Sequence, residues 1–328
     1  MFFFTLRRLL SSIVVLLISS LLVFALCIAS FDPLQFYRQR QPPPPQAFFD
    51  NLSAQLGLND PFLVRYWDWL SGALTGDFGV SNFGTPVGPE LAQRLGVTAR
   101  MVIAAMILAV ILAIVVGVLT AVRQYKPEDY FFTFITYILI ALPTFWFAAL
   151  LKEFVALQFN DLVGQQVLYT LGEETPNIAL YAQGSELFWD RVGHIVLPTI
   201  SLAMLSFAAW SRFQRASMLD VLGSDFMRLA RAKGLPYGRA LFRHGLRNAL
   251  IPLTTVVALG VGLIMGGAVI TEQVFVWHGM GEYLLEGVAQ NDLNPVLGWL
   301  LVAAFFVVLF NLIADLLYAV LDPRIRLS

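Results

Sequence analysis

Six stretches of this chain run for 20 to 24 residues without a single Asp, Glu, Lys or Arg: 9–31, 101–122, 130–151, 192–211, 248–271 and about 293–314. A helix rising ~1.5 Å per residue needs about 20 residues to cross ~30 Å of hydrocarbon, and in lipid it satisfies its own backbone hydrogen bonds. The pattern predicts an all-α, polytopic membrane protein with six transmembrane helices. Composition agrees, because only 13% of the residues are charged, against about 25% in soluble domains. Pro143, Pro198 and the glycines at 260, 262, 266 and 267 fall inside these stretches. Neighbouring helices tolerate kinks and close approach there, so packing is their expected role.

The first stretch follows Arg7 and Arg8 and has the outline of a cleaved signal peptide. Its 23 charge-free residues exceed the roughly 7–15 of a signal h-region and match a span, so it is read as an uncleaved first helix. Cys27, inside it, is the only cysteine. One thiol excludes an intramolecular disulfide and a Cys-rich metal site, and in an apolar run it is expected to be buried and inert.

A net charge of −1 carries no signal, but the placement of the 21 Lys and Arg residues does. Eight lie in the fourth loop, 212–247, and none in the fifth. Basic residues concentrate on cytoplasmic loops. The fourth loop, the second loop and both termini are therefore expected in the cytoplasm, a side that collects 14 of the 21. The chain divides into an N-terminal tail with the first helix (1–31), an extracytoplasmic segment (32–98), a transmembrane core (99–321) and a short cytoplasmic tail (322–328).

The segment 32–98 contains a proline run at 42–45, an expected extended spacer, and then a short helix with Asp60 as cap and Pro61 at its first position. Trp67, Trp69, Leu70 and Leu74 on that helix suit the membrane interface or the bundle itself. The other outer stretch, about 152–191, is acidic. Either contact with an outer partner or a plain solvated loop fits both stretches.

In the fourth loop, Ser224 is placed to cap a helix beginning at Asp225 that stops at Gly234, with Leu235 available for a Schellman contact and Pro236 blocking continuation. Phe226, Leu229 and Ala230 share one face. Arg228, Arg231 and Lys233 put positive charge toward the C-terminal end, where the helix dipole favours it. Charge pattern alone fits an amphipathic helix on anionic lipid as well as a helix that meets a protein.

The run DFMRLARAKG at 225–234, followed by RHGLRNALIP at 243–252, resembles the signature loop of binding-protein-dependent ABC importer permeases, in its dipeptide and oligopeptide branch and the first-permease (B-type) subunit. Ala230, Ala232 and Gly234 match the family's Glu-Ala-Ala-x-x-x-Gly pattern in its peptide-permease form. Arg247 stands where other branches have a proline, and Pro252 follows, which agrees with the peptide branch. YWDWL at 66–70, GDFGVS at 76–81, PTFW at 143–146, GAVITE at 267–272 with Val274 and Phe275, and DPRIR at 322–326 extend the resemblance along nearly the whole chain. His278 departs from it, since the family commonly has proline before Gly-x-Gly. The glycines at 279 and 281 remain to supply the turn.

The resemblance implies a transport subunit without catalysis of its own. ATPase coupling falls to Asp225, Arg228, Ala230, Arg231, Ala232, Lys233 and Gly234, with Pro143, Trp146 and Glu272 as residues of the substrate pathway. The expected partners are a second homologous permease, cytoplasmic ATPase subunits carrying ATP and Mg, an extracytoplasmic substrate-binding protein and membrane lipids, with no nucleic acid. The implied mechanism is alternating access in a bacterial cell membrane. Independently of the resemblance, the sequence has no Gly-x-x-x-x-Gly-Lys-[Ser/Thr] loop for ATP phosphates, and its histidines, 194, 244 and 278, fall in separate segments and are read as structural.

A secondary, ion-coupled transporter is the alternative, but it needs ionisable groups at mid-membrane, where these stretches are uncharged. An intramembrane enzyme needs a nucleophile and a base that do not show. Glu272 is expected near the outer interface, Lys152 and Glu153 as an interfacial pair, and Asp315 in an inter-helix contact or a hydrogen bond with Asn311.

Overall fold

The computed structural model describes the backbone of residues 2–321, and the side chains of these except 2–4, 55, 179, 261–263, 265–267 and 318–321. The motif at 322–326 lies outside the described residues. The helices in chain order are α1 (Phe2–Ser30), α2 (Gln35–Arg38), α3 (Gln46–Gln55), α4 (Phe62–Leu74), α5 (Val87–Val122), α6 (Pro127–Ala141) and α7 (Thr144–Leu150). They continue with α8 (Gln158–Val163), α9 (Ser185–Leu222), α10 (Asp225–Ala232), α11 (Tyr237–Ala240), α12 (Arg247–Phe275), α13 (Met280–Ala289) and α14 (Leu293–Leu321). Two π-helical turns, Leu151–Leu157 and Leu241–Leu246, join α7 to α8 and α11 to α12. There is no strand among the described residues, only an isolated bridge between Val80 and Pro86.

Among the described residues, four helices are by length and composition able to cross a bilayer, around Thr5–Arg38, Val87–Val122, Ser185–Leu222 and Leu293–Leu317, or five with a bent pair counted as one span. The fifth charge-free stretch is covered by α12, 29 residues long. The third departs from the sequence expectation of a single helix over 130–151. It breaks after Ala141, and the helices on either side meet at 113°. Pro143 is the cause, because its ring forces the preceding residue out of helical backbone. Leu142 accordingly sits at φ −82°, ψ 131°. Pro198, by contrast, stays within the continuous α9.

Two compact units divide the chain. One comprises Leu9–Thr98 with His278–Val308, and the other Ala99–Trp277 with the described residues before Leu9 and after Val308. In the first, Phe24 and Cys27 of α1 pack with Val296 and Leu297 of α14, so the lone thiol is buried as expected. Trp69 stacks on Phe24 at 5.2 Å and Tyr66 shares a hydrogen bond of 2.7 Å with Ser20. The α4 set therefore splits, with Trp69 and Leu70 turned inward and Trp67 and Leu74 outward. Pro61, not Asp60, occupies the N-cap position of α4, without a side-chain cap. Arg94 lies among Glu90, Glu282 and Glu286.

In the second unit α9 packs along α12 and α6. Small residues permit the approach: a Cβ on Gly260 would lie 2.7 Å from the Trp210 ring, and one on Gly117 2.7 Å from Gln214 Cβ. The segment read as an acidic loop at 152–191 is partly helical. Its irregular part is pinned where buried Asp190 accepts hydrogen bonds from the backbone and hydroxyl of Thr175. His194 stacks on Tyr169 at 4.0 Å.

Candidate functional site

α10 is built as the local sequence dictates at one end and differently at the other. Gly234 adopts φ +83°. Its N–H donates to the Arg231 carbonyl at 2.9 Å, and the Leu235 N–H donates to the Ala230 carbonyl at 3.3 Å. These two bonds are the Schellman closure expected of Gly-Leu-Pro. Ser224 has the extended backbone of an N-cap, yet its hydroxyl donates back to the Val221 carbonyl and caps nothing. Asp225 in the first turn and Arg231 in the last complement the dipole. Arg228 reaches Asp225 at 3.4 Å across open solvent, a contact of little energetic weight.

The helix presents two apolar sides. Phe226 and Leu229 are 42% and 55% exposed, flanked by exposed Arg228, Arg231, Ala232 and Lys233. Met227 is buried. A methyl added to Gly245 would meet Met218 Cε at 3.3 Å and Met227 Cε at 3.6 Å, so Met227 seats α10 on α9 and the second π-helical turn. Beneath that seat Ala121, Met218, Leu241 and Ala249 form a packed junction, and the Ser217 hydroxyl donates to the Ala249 carbonyl at 3.0 Å. Close by on α9, Arg215 holds buried Asp129 through two hydrogen bonds of 2.9 and 2.8 Å. The sequence reading missed Met227, Met218 and this ion pair.

The remaining sites lie apart from α10 in sequence. Pro143, at the break before α7, and Trp146, in its first turn, are exposed. Glu272, at the end of the fifth charge-free stretch, is fully buried within the protein. Lys152 does not pair with Glu153: its ammonium donates to the Val274 carbonyl at 3.0 Å, capping the C-terminal end of α12. Asp315 makes the inter-helix contact, with Arg8 at 2.9 Å. No group of three His, Cys, Asp or Glu able to hold a metal occurs among the described residues.

Two family models cover most of this architecture. Residues 113–327, from the last third of α5 through α10, α12 and α14, match the binding-protein-dependent transport system inner membrane component. Residues 1–98 match the N-terminal part of the same membrane component. The chain belongs to this permease family. Relatives of the binding-protein-dependent permeases align nearly end to end. The oligopeptide transport system permease protein OppB of Mycobacterium tuberculosis is 43% identical over 326 residues, 98% of each chain. The permease AppB of Bacillus subtilis, also named for oligopeptide transport, is 38% identical over 98% of this chain and 99% of its own. The dipeptide transport system permease protein DppB of Escherichia coli is 35% identical over 84% of each. As a permease of this family the chain is a multi-pass inner-membrane transport component and not an enzyme.

Proposed function

We propose that this chain is one of two homologous permease subunits that together form the translocation pathway of an ATP-driven importer for oligopeptides or dipeptides. It has six spans, with both termini and α10 in the cytoplasm. ATP and Mg act on separate ATPase subunits, and an extracytoplasmic binding protein delivers the cargo. Support comes from relatives named for oligopeptide and dipeptide transport. An ion-coupled transporter is not what those relatives are named for.

The observation that carries the proposal is α10 itself. A short helix with a closed C-terminal end, seated by one methionine, holds Phe226, Leu229 and its arginines toward solvent. An ATPase subunit with an apolar, acidic-rimmed cleft fits that face. Force on α10 passes through Met227 and Gly245 to α9 and α12, and the Asp129–Arg215 pair carries it on to α6. The bundle then switches between inward- and outward-open forms, which lie within a few kcal/mol of each other so that ligands shift the balance.

Affinity purification of the tagged chain should retain an ATPase and a second permease, and the reconstituted complex should take up peptides with ATP. Reversing the charge at Arg228 and Arg231 together should separate ATP hydrolysis from uptake while leaving the chain in the membrane. A chain that purifies alone and transports alone, or uptake indifferent to the reversal, refutes the coupling role.

A further inference from the structure

α6, α7, α9 and α12 line an open cavity of about 800 Å³. Its basic end holds two arginines one helical turn apart on α9, and they differ in state. Arg215 is neutralised by the bidentate contact with Asp129. Arg212 has no acidic partner among the described residues; its guanidinium lies over the Tyr137 ring, 4.7 Å from the centroid. Stacking on an aromatic face orients a guanidinium and leaves its in-plane N–H groups free to bind a carboxylate in a fork.

Leu202, Leu205, Ile140 and Ile264 are among the apolar side chains lining the cavity beyond the arginines, and the hydroxyl residues Ser206 and Thr144 lie among them. Ser206 precedes Arg212 by six residues on one helix, which places its backbone ~9 Å away along the axis. An extended peptide advances ~3.3 Å per residue. Its C-terminal carboxylate on Arg212 would therefore bring backbone amides two or three residues upstream alongside Ser206. An acyl chain anchored by its phosphate has no use for those hydroxyls, which favours peptide over lipid as the occupant.

Resting on the permease assignment above, we infer that Arg212, held by Tyr137, is a binding residue for the free C-terminal carboxylate of the transported peptide, inside this cavity.

The test uses the complete importer in nanodiscs without its binding protein, so that the binding protein's own preference does not enter. Equilibrium binding is measured for trialanine and for its C-terminal amide. The wild type should bind the free acid about tenfold more tightly than the amide, as expected for one charge-assisted fork. Arg212→Gln should bring the acid down to the level of the amide, and Arg212→Lys should keep part of the preference. Equal binding of acid and amide by the wild type overturns the inference, as do undetectable binding of both and a preference that survives Arg212→Gln. Native mass spectrometry supplies the other arm: an anionic phospholipid retained by the wild type and lost in Arg212→Gln, with no peptide preference, makes this a headgroup site and also overturns it. Trialanine uptake by the wild-type importer with its binding protein tests the permease assignment separately, so uptake without acid preference defeats only this inference.

Discussion

Gly234 closes α10 at φ +83°, and a Cβ built there meets nothing within 4 Å. Replacing it costs backbone strain and produces no clash. Left-handed backbone costs a non-glycine residue ~1–2 kcal/mol, with a β-branched residue such as valine at the upper end. The strain opposes the two closing hydrogen bonds at 2.9 and 3.3 Å, each worth ~0.5–1.5 kcal/mol net. Closure is therefore favoured by ~1–3 kcal/mol, and Gly234→Val brings the closed and frayed ends of α10 close to equal population. Hydrogen exchange at the Leu235 amide should accelerate about 5- to 30-fold, the factor corresponding to ~1–2 kcal/mol. In proteoliposomes, peptide taken up per ATP hydrolysed should fall several-fold. Gly234→Asn, which enters the left-handed region at lower cost, should keep most of both. If Leu235 loses protection and uptake per ATP does not change, the closed end bears no load in coupling. Unchanged protection in Gly234→Val refutes the strain reasoning itself.

Met227→Ala removes the buried side chain that seats α10, at a cost of ~2–5 kcal/mol. Trypsin should then cut after Arg228 faster than in the wild type, and an unaltered rate would show that the seat lies elsewhere. Arg215→Ala leaves Asp129 nearly buried with only the Tyr125 N–H and the Thr133 hydroxyl. Losing one partner of a buried pair costs about 3–5 kcal/mol, less here because Arg215 is part-exposed. A double-mutant cycle with Asp129→Asn on thermal stability should show coupling above ~1 kcal/mol, and coupling near zero would class the pair with ordinary surface bridges. Burial raises the Asp292 carboxyl above its ordinary 3.8, although backbone N–H groups of Asn82 and Asn294 oppose the shift. The folded state thus prefers the protonated acid, so this group's stability contribution is complete below about pH 3.8 and is lost as pH rises through the raised value. The Tm of Asp292→Asn relative to wild type should climb from about pH 4 upward; a flat difference to about pH 7 counts against the burial account.

Charge-free length located α1, α5, α9, α12 and α14 because solvent compatibility is written residue by residue. The same criterion has no view of direction. Pro143 was visible, but whether it kinks or turns the chain depends on what packs beyond it. The C-terminal closure of α10 was legible because Gly-Leu-Pro leaves the backbone few alternatives. The seat was not. In an eight-residue helix, Phe226, Leu229 and Ala230 satisfy the helical period, and periodicity selects them over Met227. Which apolar side faces the chain's own bundle and which faces outward is a tertiary fact. Lys152 illustrates the same limit: its sequence neighbour Glu153 offered a local pair, while its actual acceptor lies 122 residues away at Val274.

The cavity and the lever share one stiff element. Arg212, Arg215 and Met218 follow one another every third residue on α9, so they lie near one another along its surface. Arg212 and Met218 are ~9 Å apart along the axis, less than two turns. A continuous helix does not bend over that distance without a proline, a π-turn or an inserted group, and Pro198 lies well upstream. Any displacement of α10 that shifts Met218 therefore carries the Arg212 guanidinium with it. Tyr137, on α6, follows as far as the packing of that helix on α9 and the Asp129–Arg215 pair tie the two together. Under the two proposals, the stroke that reorients the bundle also alters the stacking that aims Arg212. Drive and release then act through one helix, with the Asp129–Arg215 pair and the packing of α6 on α9 together setting how far the two sides of the cavity move as one.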